Sequence, residues 1–325
     1  MKFHIVSLGG SLAAIMACAV IMTMSGAGKT SPADVVLSEP AVALSGSMTV
    51  DSSGLTSPAG ADDVGENRSV PIPAEVLPKW RELHQQNNHM VGWLKLEGTI
   101  VDYPVVQYLE SEFDGNSFYL KHDFNKKPST AGALFADWHT PITGLRRPDN
   151  TVIYGHNMFS TGTKFSHLVN YYAPRYGLDA YLDNPVIEFS TVYDDERSTY
   201  KIFAGMYVNT LAEHGYVFNY FQRRYFAAKD DFYDFVYNVM DRSVFYTEVD
   251  VEYGDQFLTL STCYWPLGNQ SDRFVLLARR VREGEEPTVD ASAAYINPDP
   301  LYFDHYYKVK GGSWGGRNWD KDLVR

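Results

Sequence analysis

Two reactive side chains leave strand-like runs of this sequence: Cys263 ends "QFLTLSTC" and His156 ends "TVIYGH". A thiol is intrinsically nucleophilic, and a nearby cation that lowers its pKa of about 8.5 makes it more so. Ten residues after Cys263, Arg273 opens the apolar run "RFVLLARRV". If both runs are strands joined by "YWPLGNQSD", the end of the first lies beside the start of the second. A guanidinium there offers a fixed fork of donors to a developing oxyanion. Each residue also has a bland reading. A lone Cys behaves as a small buried hydrophobe. An Arg commonly flanks a strand, as Arg279, Arg280 and Arg282 do here. Placement at the junction of strands and loops favours the chemical reading, because rigid strands present functional groups there.

No metal or cofactor is expected. The nine histidines include no HxH or HxxxH pair, and the only other cysteine, Cys18, lies in an apolar N-terminal run, so Cys-rich zinc patterns are excluded. A net charge of −12 with no basic stripe argues against a nucleic-acid partner.

The elements that must hold these residues are mostly strands. "VDYPVVQ", "GALFADW", "TVIYGH", "VIEFST", "YKIFAGMYV", "QFLTLSTC" and "RFVLLARRV" are short and rich in β-branched and aromatic residues. "KDDFYDFVYNVMDRS" instead repeats Phe232, Phe235, Val236, Val239 and Met240 at helical spacing. "PKWRELHQQN" predicts a short helix with Pro78 in its first turn. Many short strands with few helices suggest a mixed barrel carrying helical additions.

Residues 5–28 carry no formal charge over 24 positions, enough to cross a bilayer as a helix. A cleaved signal peptide is the rival, but the run exceeds the usual apolar core of one. Residues 1–29 are therefore expected to form a membrane anchor. Residues 30–76, without a single Phe, Trp or Tyr, read as a flexible extracytoplasmic linker. A folded domain is expected over residues 77–284. Residues 285–325 form an aromatic and glycine-rich tail that would pack on the domain, bind something or stay unfolded.

The sequence resembles the class B sortases, Gram-positive cell-surface cysteine transpeptidases. "TLSTC" matches their TLxTC signature, "YGHNM" is similar to their histidine motif, and "RFVLLA" is similar to their arginine strand. "VGWLKLEGTIVDYPVVQ", "NSFYLKHDF" and "AGALFADW" extend the likeness across residues 78–282. The resemblance implies a closed eight-stranded β-barrel with added helices, among them the long helix before the Cys263 strand. It implies that Cys263 attacks the Thr–Gly or Thr–Asn bond of a C-terminal sorting motif on a surface protein. His156 would act as general acid and then base, and Arg273 would hold the oxyanion. An amine of a peptidoglycan precursor, or a pilin lysine, would resolve the thioester. By the same likeness, Tyr154, Ser261, Asn116 and Leu120 lie near the substrate groove. The expected location is the cell membrane, with a single span and the catalytic domain outside. A papain-like peptidase fits less well, since it places Cys before His and opens a helix with it. An inactive surface binding module remains the reading from a different class.

Overall fold

The computed structural model describes residues 74–110, 115–194, 198–268 and 271–325. The predicted 5–28 span and nearly all of the linker lie outside them. Among the described residues, no helix is long and apolar enough to cross a membrane.

A short 3₁₀ turn, Pro78–Trp80, leads into α1 (Arg81–Gln86). The strands then follow as β1 (Met90–Lys95), β2 (Asp102–Val106), β3 (Leu134–Ala136) and β4 (Asn150–Tyr154). A small hairpin, β5 (Asn157–Met158) and β6 (Thr163–Lys164), comes next. After α2 (Ala173–Tyr176) and α3 (Asp179–Asp183), β7 (Val186–Thr191) and β8 (Ser198–Val208) form an antiparallel pair. The chain continues through α4 (Lys229–Arg242), β9 (Phe245–Tyr246), β10 (Phe257–Cys263) and β11 (Arg273–Arg280), and ends with β12 (Tyr295–Ile296) and α5 (Asp304–Lys310). Eight strands close a barrel in the order β1-β2-β3-β4-β10-β11-β8-β7. The mostly β, closed-barrel expectation holds.

All seven strand-like runs read from the sequence are barrel strands. The eighth, β1, was not among them, because a glycine inside "MVGWLK" weakens a strand pattern. Packing requires that glycine: a Cβ on Gly92 would lie 2.6 Å from the Ser190 carbonyl oxygen and 2.7 Å from the Phe189 ring.

Period-2 alternation explains why β10 and β11 read as near-continuous apolar text. Leu258, Leu260, Phe274, Leu276 and Ala278 enter the barrel interior, while Phe257, Val275 and Leu277 join a second cluster on the outer face. That outer cluster is covered by α4, whose Phe232, Phe235, Val236, Val239 and Met240 are all buried. Asp230 and Asp231 in its first turn and Arg242 in its last suit the helix dipole.

The tail packs on the domain. Tyr302 and Phe303 join the interior cluster, and β12 pairs with β9. Asp241 of α4 anchors the far end by accepting both Nε (2.8 Å) and Nη2 (2.8 Å) of Arg317, together with Trp319 Nε1 (2.7 Å). Arg279, only 1% exposed, donates to Asp250 Oδ1 (3.0 Å) and to both oxygens of Glu285 (2.6 and 2.7 Å). Lys201, Arg282 and Asp255 also belong to this ion cluster. The Arg279 hydrogen bond holds the Glu285 carboxyl below the usual carboxylate range, with Lys201 assisting and burial opposing. The folded-state pKa thus lies below the unfolded value of about 4.3. Stabilisation is complete above that value and is lost as pH falls through the folded one. Glu285→Gln is therefore expected to melt at a lower temperature than wild type near pH 7, with the gap narrowing below about pH 4. Parallel melts across this range check it, and a gap independent of pH would exclude the ion cluster as its source.

Candidate active site

Strand register brings the predicted residues together. β10 runs parallel to β4 with Ser261 opposite Tyr154, and antiparallel to β11 with Cys263 opposite Arg273. Side chains directly opposite across antiparallel strands have Cβ atoms about 4.5–5.5 Å apart. Residues 257, 259, 261 and 263 share one face, and Phe257 fixes it as the outer one. Cys263 therefore points out of the barrel at the strand end, partly buried, beside a partly buried Arg273.

His156 sits two residues past the end of β4, in the loop entering the β5–β6 hairpin. Two side-chain bonds, besides the Gly155 N–H to the Ser261 carbonyl (3.2 Å), tie this loop to the Cys263 strand. Asn157 Nδ2 donates to the Cys263 carbonyl (3.0 Å), and Thr262 Oγ1 donates to the Gly155 carbonyl (2.8 Å). His156 Nε2 lies 2.8 Å from the Leu120 carbonyl oxygen. A carbonyl only accepts, so Nε2 carries a hydrogen and Nδ1 is left as the nitrogen able to exchange a proton.

The four groove candidates differ in placement. Leu120 meets His156 through its main chain, and its side chain is partly buried. Tyr154 is partly buried and donates its hydroxyl to Asp137 Oδ2 (2.8 Å). Burial first, then the Asp137 charge, pushes its pKa well up, so it stays a protonated donor. Ser261 and Asn116 are buried. The Ser261 hydroxyl pairs with Tyr220 OH (2.7 Å), while Asn116 Oδ1 accepts from Trp138 N (3.1 Å).

Three contributors went unread in the sequence: Asp137, Asn157 and Tyr220. Asp137 is 3% exposed, and its carboxylate also accepts the His139 main-chain N–H (2.9 Å). Burial alone would raise its pKa, but the bonds from His139 and Tyr154 outweigh that and hold it low. Tyr220 opens a short 3₁₀ turn, Tyr220–Gln222, 41 residues before Ser261. No local pattern marks such partners. Only Asn157, in "YGHNM", sat beside a residue already singled out.

The loop after Cys263 opens with two aromatic residues, Tyr264 and Trp265. Tyr264 turns inward onto Tyr172, Tyr207 and Phe274, whereas Trp265 stays half exposed. The hydroxyl of Tyr207 donates to Asp272, and the Asp272 carbonyl accepts Tyr264 N (3.2 Å) and Arg273 Nη1 (3.0 Å). A buried aromatic brace thus sets the base of the turn that carries Arg273.

Gly132 lies under the His156–Leu120 contact with φ +56°, a conformation that favours glycine. An added Cβ would sit 2.4 Å from the Tyr119 carbonyl oxygen, 3.0 Å from that of Leu120 and 3.2 Å from His156 Cδ2. Gly132→Ala is expected to lower the melting temperature and break the Nε2–H bond of His156. Its imidazole N–H resonance would then exchange with water faster than in wild type. An unchanged resonance would show that the loop yields without moving the histidine.

No protein-family model matches the chain. Among curated proteins it is 29% identical over 217 residues to Sortase B of Listeria monocytogenes, covering 65% of this chain and 77% of that protein. It is 28% identical over 207 residues to Sortase B of Staphylococcus aureus, covering 64% and 76%. Among solved structures, a Staphylococcus aureus sortase B–substrate complex superposes with TM-score 0.53 at 28% identity, over 64% of this chain and 87% of that one. Clostridium perfringens sortase B gives 0.51 at 28% identity, over 62% and 99%. With the closed barrel and the strand register already described, these comparisons support a class B sortase, a sortase-type cysteine transpeptidase.

Proposed function

We propose that this chain cleaves a C-terminal sorting motif at its Thr–Gly or Thr–Asn bond and transfers the acyl group to an amine of peptidoglycan, anchoring surface proteins to the cell wall. The observation that carries the reading is the direct cross-strand pairing of Cys263 with Arg273 at the barrel rim, with the His156 loop bonded to the same strand end. The Cys263 thiol passes its proton to Nδ1 of His156 as its sulfur bonds to the threonine carbonyl carbon, and Arg273 meets the charge that moves onto oxygen. The intermediate collapses as the carbon–nitrogen bond breaks, and Nδ1 of His156 delivers a proton to the leaving amine. The resulting thioester is attacked by the incoming amine. Its proton passes to Nδ1, and the thiolate leaves.

The surrounding residues take supporting parts in this reading. Tyr154 and Leu120 border the groove. Ser261 and Asn116 act from beneath it, through Tyr220 and the Trp138 main chain. Residues 1–29 anchor the enzyme in the cell membrane, 30–76 form an extracytoplasmic linker, 77–284 carry the chemistry, and 285–325 brace it.

Cys263→Ala is expected to abolish turnover. His156→Ala and Arg273→Ala should each cost about 10²–10⁴-fold. The check is incubation of the full chain with peptides of LPxTG, NPxTN and SPxTG type, followed by intact-mass detection of an acyl adduct on Cys263. An adduct from one class names the substrate. A thiol that neither acylates nor alkylates would mark an inactive binding module, and joining of pilin subunits through lysine would replace wall anchoring by polymerisation. Near-wild-type turnover in Arg273→Ala would remove the oxyanion role from this residue.

A further inference from the structure

A cleft of about 470 Å³ opens far from Cys263, against β1. Whichever way the closed barrel is followed, β1 lies four strands from β10, so its outer face points away from the thiol. On that face Trp93 stands in register between Pro104 and Ser190, and Lys95 between Asp102 and Glu188. The 3₁₀ turn before α1 leans over them. The Trp80 and Trp93 rings stack with centroids 5.9 Å apart and planes 13° from parallel. Both indoles are only partly buried. Trp93 Nε1 donates to Asp102 Oδ1 (2.6 Å), which fixes the ring plane.

The lining selects a ligand class. A purely apolar ligand would strip water from the two ammonium and two carboxylate groups at the rim without replacing its hydrogen bonds. A ligand of either single charge meets groups of both signs, Lys79 and Lys95 against Asp102 and Glu188, with Glu97 already paired to Lys95. A neutral sugar ring fits both features. Its C–H face lies on an indole, and its hydroxyls both donate and accept, so they engage ammonium and carboxylate alike. The volume falls in the range of about 300–1,000 Å³ usual for small-ligand sites.

We propose that this cleft docks neutral sugar rings of a polysaccharide, namely the glycan strand of the polymer that receives the acyl group. The glycan's identity as that acceptor rests on the transpeptidase reading above. Holding the polymer on the far wall raises the local concentration of its amines without occupying the groove at Cys263.

The test uses the full chain labelled with 5-fluorotryptophan in a polyoxyethylene detergent, because alkyl-glycoside detergents would compete. Chitotetraose, a β-1,4 tetramer of N-acetylglucosamine, is titrated and followed by ¹⁹F NMR. Of the six tryptophan signals, the two missing from Trp80→Phe and Trp93→Phe should shift saturably while the others stay. Trp93→Ala should weaken binding about tenfold. That variant can also loosen the turn before α1, so Glu188→Gln, which keeps both indoles, should weaken binding with an unchanged melting temperature. Absence of a saturable shift, or equal shifts at all six signals, overturns the inference. Each sample is also assayed with a sorting peptide, whose turnover should be unaffected by the cleft variants. Peptide turnover without sugar binding sinks the cleft and leaves the transpeptidase. Sugar binding without any peptide turnover upholds the cleft and sinks the reading on which its acceptor role rests.

Discussion

One strand register carries the candidate site. β10 is held on one side by β4 in parallel and on the other by β11 in antiparallel. Side chains alternate faces along a strand, so a slip of one residue would turn Cys263 into the barrel interior and move Arg273 from opposite it. The slip is resisted because both faces are buried. Leu258 and Leu260 would leave the interior, and Phe257 would leave the layer under α4. The packing that stabilises the barrel therefore also sets the distance between the thiol and the guanidinium.

Most of the outer wall behind the site is covered. α4 spreads its apolar stripe over β8 and β11, and Asp241 on the same helix clamps Arg317 and Trp319 of the tail. Tyr302, Phe303 and Tyr306 of the tail reach Tyr207, the ring whose hydroxyl grips Asp272 beside Arg273. A continuous aromatic layer thus joins the C-terminal segment to the turn that follows Cys263. Rigid support of this kind matters for acyl transfer, where displacement of a group by about 1 Å can cost on the order of 100-fold in rate.

β11 shows how position along a strand sorts identical side chains. Arg273 and Arg279 share its outer face, six residues or roughly 20 Å apart. Arg279 is fully enclosed, and its fork is occupied by Asp250 and Glu285. Arg273 sits at the strand end, partly buried, with Nη1 donating to the Asp272 carbonyl. A buried guanidinium without such partners would carry a large desolvation cost, so the acidic cluster is the condition for an arginine at position 279.

By itself the sequence determined the fold class, seven of the eight barrel strands and the α4 helix, and it singled out Cys263, His156 and Arg273 as candidates. These are legible because period-2 and period-3.6 patterns are local, and because the motifs around the trio are contiguous text. β1 was missed because a close approach between strands, invisible in the chain, required Gly92 inside it. Tertiary structure alone decided that the tail packs, that Tyr264 is a core ring while Trp265 is not, and that Ser261 and Asn116 are buried, one bonded to Tyr220 and the other to the Trp138 main chain. It also supplied Tyr220 and Asp137, and the Leu120 carbonyl that fixes the His156 tautomer. Those partners lie 17 to 41 residues from the groups they contact. A side-chain hydrogen bond over such a separation leaves no periodic trace, because it depends on where the closed barrel brings the two segments together and not on the residues that flank either one.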